Sequence, residues 1–171
     1  MDRLGKKSLE DRIVDKIFDG VNFIISKWIK PDMKVDKVGN LNKEQIDLLK
    51  NKYGIKGVIL DIDETLRKES NNIPKCNSDW IDMIKQELKV IVVSNGIDKK
   101  VERFLELKGI EYIGFAHKPL KKNFIKACTK MDLKPEEVLV VGDDLFCDIY
   151  GGNRNNMKTI LVKEVEEDIE R

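Results

Sequence analysis

The sequence predicts an α/β fold, a doubly wound, Rossmann-like parallel sheet of about five strands with helices on both faces. Three observations carry that prediction. Apolar runs of strand length recur at Val58–Leu60, Val90–Val93 and Val138–Val141. Each run is continuous rather than alternating, as a strand covered on both faces must be. Stretches with helical apolar spacing separate the runs, and strands alternating with helices build parallel sheets.

Composition narrows the class. At 171 residues the chain has the length of one domain. Its 41% hydrophobic content supplies one good core, and its 37% charged content covers a heavily charged surface. A net charge of +1 gives no basic excess, so no nucleic-acid partner is expected. Cys76, Cys128 and Cys147 show neither C-x-x-C pairing nor zinc spacing. An odd, scattered set fits reduced thiols in a cytoplasmic setting. The start of the chain lacks the apolar core of a signal peptide, and no run is long enough to span a bilayer.

Taken in order, residues 9–30 read as an amphipathic helix. Ile13, Ile17, Val21, Ile24, Ile25 and Trp28 fall at helical spacings, with Val14, Phe18 and Ile29 widening the stripe. Ser8 and Asp11 suit its start. Pro31 ends it, because the residue before a proline resists helix. Arg12, Lys16, Lys27 and Lys30 share the polar face with Asp11, Asp15 and Asp19. That mixture suits packing on the core or on a partner better than an anionic membrane, although Phe23 and Trp28 would serve an interface. Residues 31–43 are polar, carry a Gly39-Asn40 turn signal and read as a connector. Helix and connector form an N-terminal extension, residues 1–43, ahead of an α/β domain over 44–171.

Asn42 can cap a helix over 43–52 with Ile46, Leu48 and Leu49 apolar. The strand at Val58 follows. Arg67 to Pro74 are polar loop residues. Asn77 or Ser78 can cap a helix to Glu87, with Trp80, Ile81, Ile84 and Leu88 inward. A strand at 89–93, a helix over 97–108 stopped by Gly109, a strand at 111–115 and a helix over 120–131 come next. Pro135-Glu136-Glu137 makes the turn into the Val138 strand. A short helix within 144–153, a strand at 159–162 and a charged tail from Lys163 complete the chain.

The strand ends carry the chemistry. Val58–Leu60 delivers Asp61 to its carboxyl end, where open α/β sheets place ligands. Asp63 follows at i+2 and points the same way in extended geometry. Two converging carboxylates are costly unless a cation or a proton joins them. The pair therefore reads as a Mg²⁺-dependent phosphoryl-transfer site, with an acidic turn after a core strand as the plain alternative. The second run ends in Ser94-Asn95-Gly96. Ala116-His117-Lys118-Pro119 sets a lysine ahead of a helix. The third run ends in Gly142-Asp143-Asp144, with Asp148 beyond.

In this order and spacing, Asp61-Ile62-Asp63-Glu64-Thr65-Leu66, Ser94-Asn95, Lys118-Pro119 and Gly142-Asp143 with Asp148 resemble the four motifs of the haloacid dehalogenase (HAD) superfamily of phosphotransferases. The resemblance covers residues 54–163. It implies that Asp61 is the nucleophile, forming an aspartyl-phosphate, and that Asp63 is general acid and then general base. It gives Lys118 the role of a fixed positive charge, Ser94 and the N–H groups after it at Asn95 the phosphoryl oxygens, and Thr65 the orientation of the nucleophile loop. Mg²⁺ would be held by Asp61, the Asp63 carbonyl and Asp143, with Asp148, or its rival Asp144, as the second acidic group of the last motif. Carboxylates are competent covalent nucleophiles, and hard Mg²⁺ takes oxygen ligands.

Large cap domains of the superfamily sit in two positions, and here both are too short to hold one. The chain looks like a capless member whose open site admits a phosphate carried on something large. Gly54-Ile55-Lys56-Gly57-Val58, Gly142-Asp143-Asp144-Leu145-Phe146-Cys147-Asp148 and Gly151-Gly152-Asn153-Arg154 resemble the YqeG-type branch of subclass IIIA. Glu64 stands where that branch usually has Asn, and Asp144 where it often has Gln. Asn153 and Arg154 are candidates for structuring the final loop or touching a head group. Members of the branch include phosphatidylglycerophosphate phosphatases. The resemblance thus implies a Mg²⁺ phosphomonoester hydrolase acting on a phospholipid head group, cytoplasmic or peripheral at the inner membrane face through residues 9–30. A nucleotide, sugar or protein phosphate is the alternative substrate, and a non-catalytic binding domain the alternative role.

Overall fold

Period-two alternation on the central strand sorts its side chains into two cores. The computed structural model describes residues 20, 23–24, 26–68 and 71–168. Strands β1 to β6 are Met33–Val35, Gly57–Leu60, Lys89–Val93, Glu111–Ile113, Val138–Gly142 and Lys158–Val162. They form one sheet in the order β1-β6-β5-β2-β3-β4, and every neighbouring pair is parallel. Helices α1 to α4 are Lys43–Tyr53, Lys75–Glu87, Lys99–Lys108 and Lys121–Met131. A wide π-type helical segment, Leu145–Tyr150, runs on into Gly151–Asn153.

On β2 and β5, Val58, Leu60, Leu139 and Val141 join Trp80, Ile81 and Ile84 of α2 and Leu105 of α3 in one core. Ile59, Val138 and Val140 point the other way, toward Phe124, Ala127 and Cys128 of α4. Helices therefore cover both faces, and fully burying each such aliphatic side chain contributes about 1.5–3 kcal/mol. Gly54 (φ 68°) and Gly109 (φ 62°) end α1 and α3 in the left-handed conformation that suits glycine. Among the described residues no cap domain intervenes. Residues 61–74 join β2 to α2, and only α3 lies between β3 and β4.

The sheet has six strands, because the stretch 31–43 contains more than a connector. Its Met33–Val35 pairs with β6, so the sheet extends N-terminal to residue 44. Val38 and Leu41, in the same stretch, are fully buried. Three residues are too few to show a strand period, which is why this edge escapes pattern reading. Asn77 does not cap α2, which begins two residues earlier, after Pro74. It is fully buried, and its amide donates to Leu66 O at 2.8 Å and Glu166 O at 3.3 Å. The cap comes from the tail, where the Asp168 carboxylate accepts from the Lys75 and Cys76 N–H groups at 2.8 and 2.9 Å. The helix expected from residue 97 starts at Lys99, with Asp98 capping Val101 N at 2.9 Å.

The amphipathic helix expected over 9–30 lies largely outside the described residues. Its described positions 20, 23–24 and 26–28 are helical, and Phe23, Ile24 and Trp28 are exposed. Among the described residues no helix is long and apolar enough to cross a membrane.

Candidate functional site

The strand order reverses at β2, whose neighbours are β3 and β5, and a crevice opens at the carboxyl ends of these strands. Asp61 leaves β2 there, with its N–H still bound to Val141 O at 3.0 Å. The chain then turns tightly. Ile62 O accepts from the N–H groups of Thr65, Leu66 and Arg67 at 3.2, 2.8 and 3.2 Å. Glu64 adopts φ 60° to allow the turn. The turn brings Thr65 back under the acids, where its hydroxyl donates to Asp143 Oδ1 at 3.0 Å and lies 3.5 Å from Asp61 Oδ2.

Lys118 occupies the centre. Its Nζ lies 2.6 Å from Asp61 Oδ1 and 2.5 Å from Asp148 Oδ1. All three residues are buried. Burial works against the ammonium, but Asp148 and Asp61 outweigh it and hold its pKa above the ordinary lysine range. Burial also pushes the Asp148 carboxyl upward against the pull of Lys118. With two carboxylates in reach, the ammonium keeps its proton. Gly142 makes room for this arrangement, since a Cβ there would sit 2.3 Å from the Asp148 carboxyl carbon.

Carboxylate oxygens of Asp61, Asp143 and Asp148 all lie within 4.8 Å of one another. Burial, then the charge of Asp61, pushes Asp143 up to about 6. Three carboxylates against one ammonium leave a formal charge of −3 + 1 = −2, which one divalent cation balances. Oxygen donors at this spacing suit a hard cation, so the residues fit the metal that the motifs imply.

The remaining expected residues divide. Ser94 and Asn95 line the same cleft, of about 190 Å³, with Asp63, Gly96 and Cys147. The Ser94 hydroxyl donates to Gly96 O at 2.7 Å. Asn95 ties loops together, accepting from Lys118 N at 2.6 Å and reaching Cys147 Sγ at 3.7 Å. Asp144 caps the helical segment through Phe146 N and Cys147 N, so its carboxylate is spoken for, and Asp148 is the one that joins the cluster. The Asp63 carboxylate is not in the cluster and pairs with Arg67 instead. Asn153 structures the final loop, donating to Lys30 O and accepting from Thr159. Arg154 lies over the Tyr150 ring. A larger hollow of about 630 Å³ at the opposite end of the sheet, near Lys89 and Met131, holds no such acid cluster.

Arg67 is the residue that sequence reasoning misses. It is 3% exposed and forms ion pairs with Asp63 and Asp98 while donating to Asn71 O. Burial works against the guanidinium, and the bonds to Asp98 and Asp63 more than offset it. In a polar stretch nothing marks an arginine as buried. Its one signal is the i+4 spacing from Asp63.

Similarity to known proteins runs the same way. The family model for HAD-hydrolase-like proteins matches residues 115–169. Over 145 residues, 83% of this chain and 81% of the relative, the sequence is 36% identical to "Probable phosphatase YqeG" of Bacillus subtilis. A stretch of 46 residues, 27% of this chain, is 48% identical to 19% of the glyceraldehyde 3-phosphate phosphatase of Pyrococcus furiosus. The 2-haloacid dehalogenase of Pseudomonas syringae superposes with a TM-score of 0.51 at 14% identity, over 63% of this chain and 86% of that one, a likeness of fold alone. Because the YqeG match runs through most of both chains on a HAD-like sheet, this protein belongs to the HAD superfamily of phosphatases, in its YqeG-like branch.

Proposed function

We propose that the protein is a Mg²⁺-dependent phosphomonoester hydrolase working through an aspartyl-phosphate on Asp61, with a phospholipid head-group phosphate, as in phosphatidylglycerophosphate, as its substrate. One observation carries the chemistry. The oxygens of Asp61, Asp143 and Asp148 converge within 4.8 Å, and Lys118 bridges two of them at the cleft.

In this reading the Asp61 carboxylate attacks phosphorus, and the bond from phosphorus to the ester oxygen breaks. Asp63 gives its proton to the departing oxygen. Arg67 engages Oδ1 of Asp63, which leaves Oδ2 to carry that proton. Asp63 then takes a proton from water, whose oxygen attacks the aspartyl-phosphate, releasing inorganic phosphate and restoring Asp61. Lys118 orients Asp61 through its contact with Oδ1, and its charge favours the phosphoryl oxygens. Ser94 and the N–H groups beyond it receive those oxygens, and Thr65 fixes Asp61 relative to Asp143. Asp61, the Asp63 carbonyl and Asp143, with support from Asp148, would hold a divalent cation, which would supply charge neutralisation at the phosphoryl group.

The uncapped cleft supports the lipid substrate, because a head group can enter without a lid closing behind it. It also fits work at the inner face of a membrane, with residues 9–30 as a second contact. The short match to a glyceraldehyde 3-phosphate phosphatase favours a small sugar phosphate as the rival. Phosphate release from p-nitrophenyl phosphate, from phosphatidylglycerophosphate in vesicles and from sugar phosphates, with and without Mg²⁺, decides between them. Turnover of the lipid that needs Mg²⁺ and disappears in Asp61→Asn is expected. A wild-type protein that releases no phosphate from any of them would make the domain a non-catalytic scaffold.

A further inference from the structure

We infer that the rim of the cleft, formed by loop 114–122 and segment 145–150, is a docking surface for an anionic lipid bilayer. The inference rests on the lipid-phosphatase reading and adds where the bilayer touches. Phe115, Leu120 and Phe146 are 69%, 57% and 42% exposed. Single exposed apolar residues are ordinary. These three sit on two adjoining loops, since Cys147 Sγ lies 3.6 Å from Lys118 O. The same two loops carry Lys118, Cys147 and Asp148, which line the cleft, so the apolar residues belong to the loops that border it.

The charges around them break a local rule. Helix α4 begins with Lys121-Lys122 and has no acidic residue in its first turn, whereas α3, which begins with Lys99-Lys100, has Glu102 in its first turn and Asp98 as its cap. Both helices start at the strand ends that hold the site. A cation in the first turn opposes the helix macrodipole. Among the described residues none of these four lysines forms an ion pair. Elsewhere Lys50, Lys56, Lys130, Lys158 and Lys163 each hold a carboxylate, while Lys34, Lys52, Lys126 and Lys134 form no ion pair among the described residues, like those of the rim, so it is the place of the rim lysines that matters. The acids on the rim are engaged inward, Asp98 by Val101 N and Arg67, Asp144 by Phe146 N and Cys147 N. At α4 no first-turn acid offsets the lysine pair, and a broken local rule without structural compensation marks a functional surface.

A small phosphorylated solute would need the charges alone. Apolar side chains among the lysines need an apolar phase as well, and basic residues flanking inserted apolar ones are how peripheral proteins hold anionic bilayers. Docked this way, the cleft faces the head groups, and a lipid phosphate reaches Asp61 without its chains leaving the membrane.

The test is co-sedimentation of the full chain with phosphatidylcholine vesicles, with and without phosphatidylglycerol, alongside turnover of soluble p-nitrophenyl phosphate. Lys121→Glu/Lys122→Glu places acids at a helix start, where they favour the fold, so lost binding cannot be put down to unfolding. Each lysine removed is expected to weaken partitioning about fivefold, roughly 25-fold for the pair, and high salt should abolish the difference. Phe115→Ser/Leu120→Ser should weaken binding at any salt. All variants should keep wild-type turnover of p-nitrophenyl phosphate. Variants that sediment like wild type would overturn the inference, as would binding to heparin but not to vesicles. Vesicle binding lost through the rim in a protein that never turns over p-nitrophenyl phosphate would support the docking surface while removing the catalytic reading. Turnover without any vesicle binding would do the reverse.

Discussion

Arg67 donates through Nε to Asp63 Oδ1 at 2.8 Å, although its guanidinium side chain is only 4% exposed. The same fork reaches Asp98 Oδ2 at 2.9 Å. One buried cation thus fixes the proposed proton donor relative to the cap of α3. Breaking a fully buried pair costs about 3–5 kcal/mol, and with Asp63 partly solvated we expect about 2 kcal/mol for Arg67→Ala. Arg67 acts through Asp63, so it is a positioning residue. If so, kcat should fall more for an alkyl phosphate, whose leaving group needs a proton, than for p-nitrophenyl phosphate. Arg67→Lys keeps the charge but not the fork and should recover only part of the loss. Equal losses on both substrates would reduce Arg67 to a structural role.

Gly142→Ala should disable the site while leaving the sheet intact. The added Cβ would lie 2.3 Å from the Asp148 carboxyl carbon and Oδ2. Asp148 would have to leave Lys118, and the acid cluster would lose a member. Alanine itself is tolerated in a strand at least as well as glycine. We expect turnover to fall by about two orders of magnitude, near what losing a positioned electrostatic group costs. A melting temperature within a few degrees of wild type, together with weakened Mg²⁺ stimulation, would complete the result. Unchanged kcat would show that Asp148 has no part in the chemistry.

The metal-free protein should lose stability as pH rises from 5.5 to 7.5. Asp143 faces Asp61, Asp144 and the Thr65 hydroxyl, and its pKa is raised from 3.8 to about 6. Between those values the folded state binds more protons than the unfolded chain. Stability from this group is therefore present at low pH and lost as pH rises through the folded value. Asp148 acts in the same direction. Carboxylates held low by partners, such as Glu87 and Asp98, titrate below this window. With chelator the melting temperature should be higher at pH 5.5, by at least about 3 °C. Saturating Mg²⁺ should remove or reverse that order, because the cation replaces the proton. A metal-free melting temperature that climbs with pH would contradict the cation site.

What could be read from the sequence was whatever is local. Val58–Leu60, Val90–Val93 and Val138–Val141 announce buried strands because they are continuous and apolar, and the two cores follow from them. Asn42 is adjacent to the helix it caps, so its role is visible in order. Asp168 caps a helix more than ninety residues away, and no spacing rule reaches that far. Asp61, Lys118 and Asp143 were legible because each ends a predicted strand or precedes a predicted helix, whereas Asp148, inside a predicted short helix, was marked only by its place in the resembled last motif. Arg67 was not, because burial inside a polar loop is decided by Asp63, Asp98 and Asn71 together.

Glu64→Asn should stabilise the protein. Glu64 holds φ 60° in the turn that returns Thr65 to the acids. A non-glycine residue there carries a cost of roughly 1 kcal/mol, and asparagine tolerates that conformation better than glutamate. The melting temperature should rise by about 2–4 °C, with turnover preserved because the turn is unchanged. A fall in stability would mean that the Glu64 side chain contributes more than its backbone strain removes.

Asn77→Ala should be more damaging than Asp168→Ala, although both residues bind the same C-terminal segment to α2. The Asn77 amide is fully buried and joins Leu66 O, in the nucleophile loop, to Glu166 O, in the tail. Alanine would leave the buried Leu66 carbonyl and the half-buried Glu166 carbonyl without that donor, at about 1–3 kcal/mol. Asp168 is exposed, and solvent can replace it at the helix start, so its loss should cost less. Hydrogen bonds from the Cys76 and Lys75 N–H groups hold the Asp168 carboxyl below the ordinary range. Its contribution is therefore present at neutral pH and disappears on acidification through the folded value. The difference between wild type and Asp168→Ala should shrink to nothing at low pH, whereas the Asn77→Ala deficit should persist. Because Leu66 borders the turn that positions Thr65, Asn77→Ala should also lower turnover. Chemical denaturation at two pH values, paired with a phosphatase assay, separates the two variants, and equal losses would deny Asn77 its link to the site.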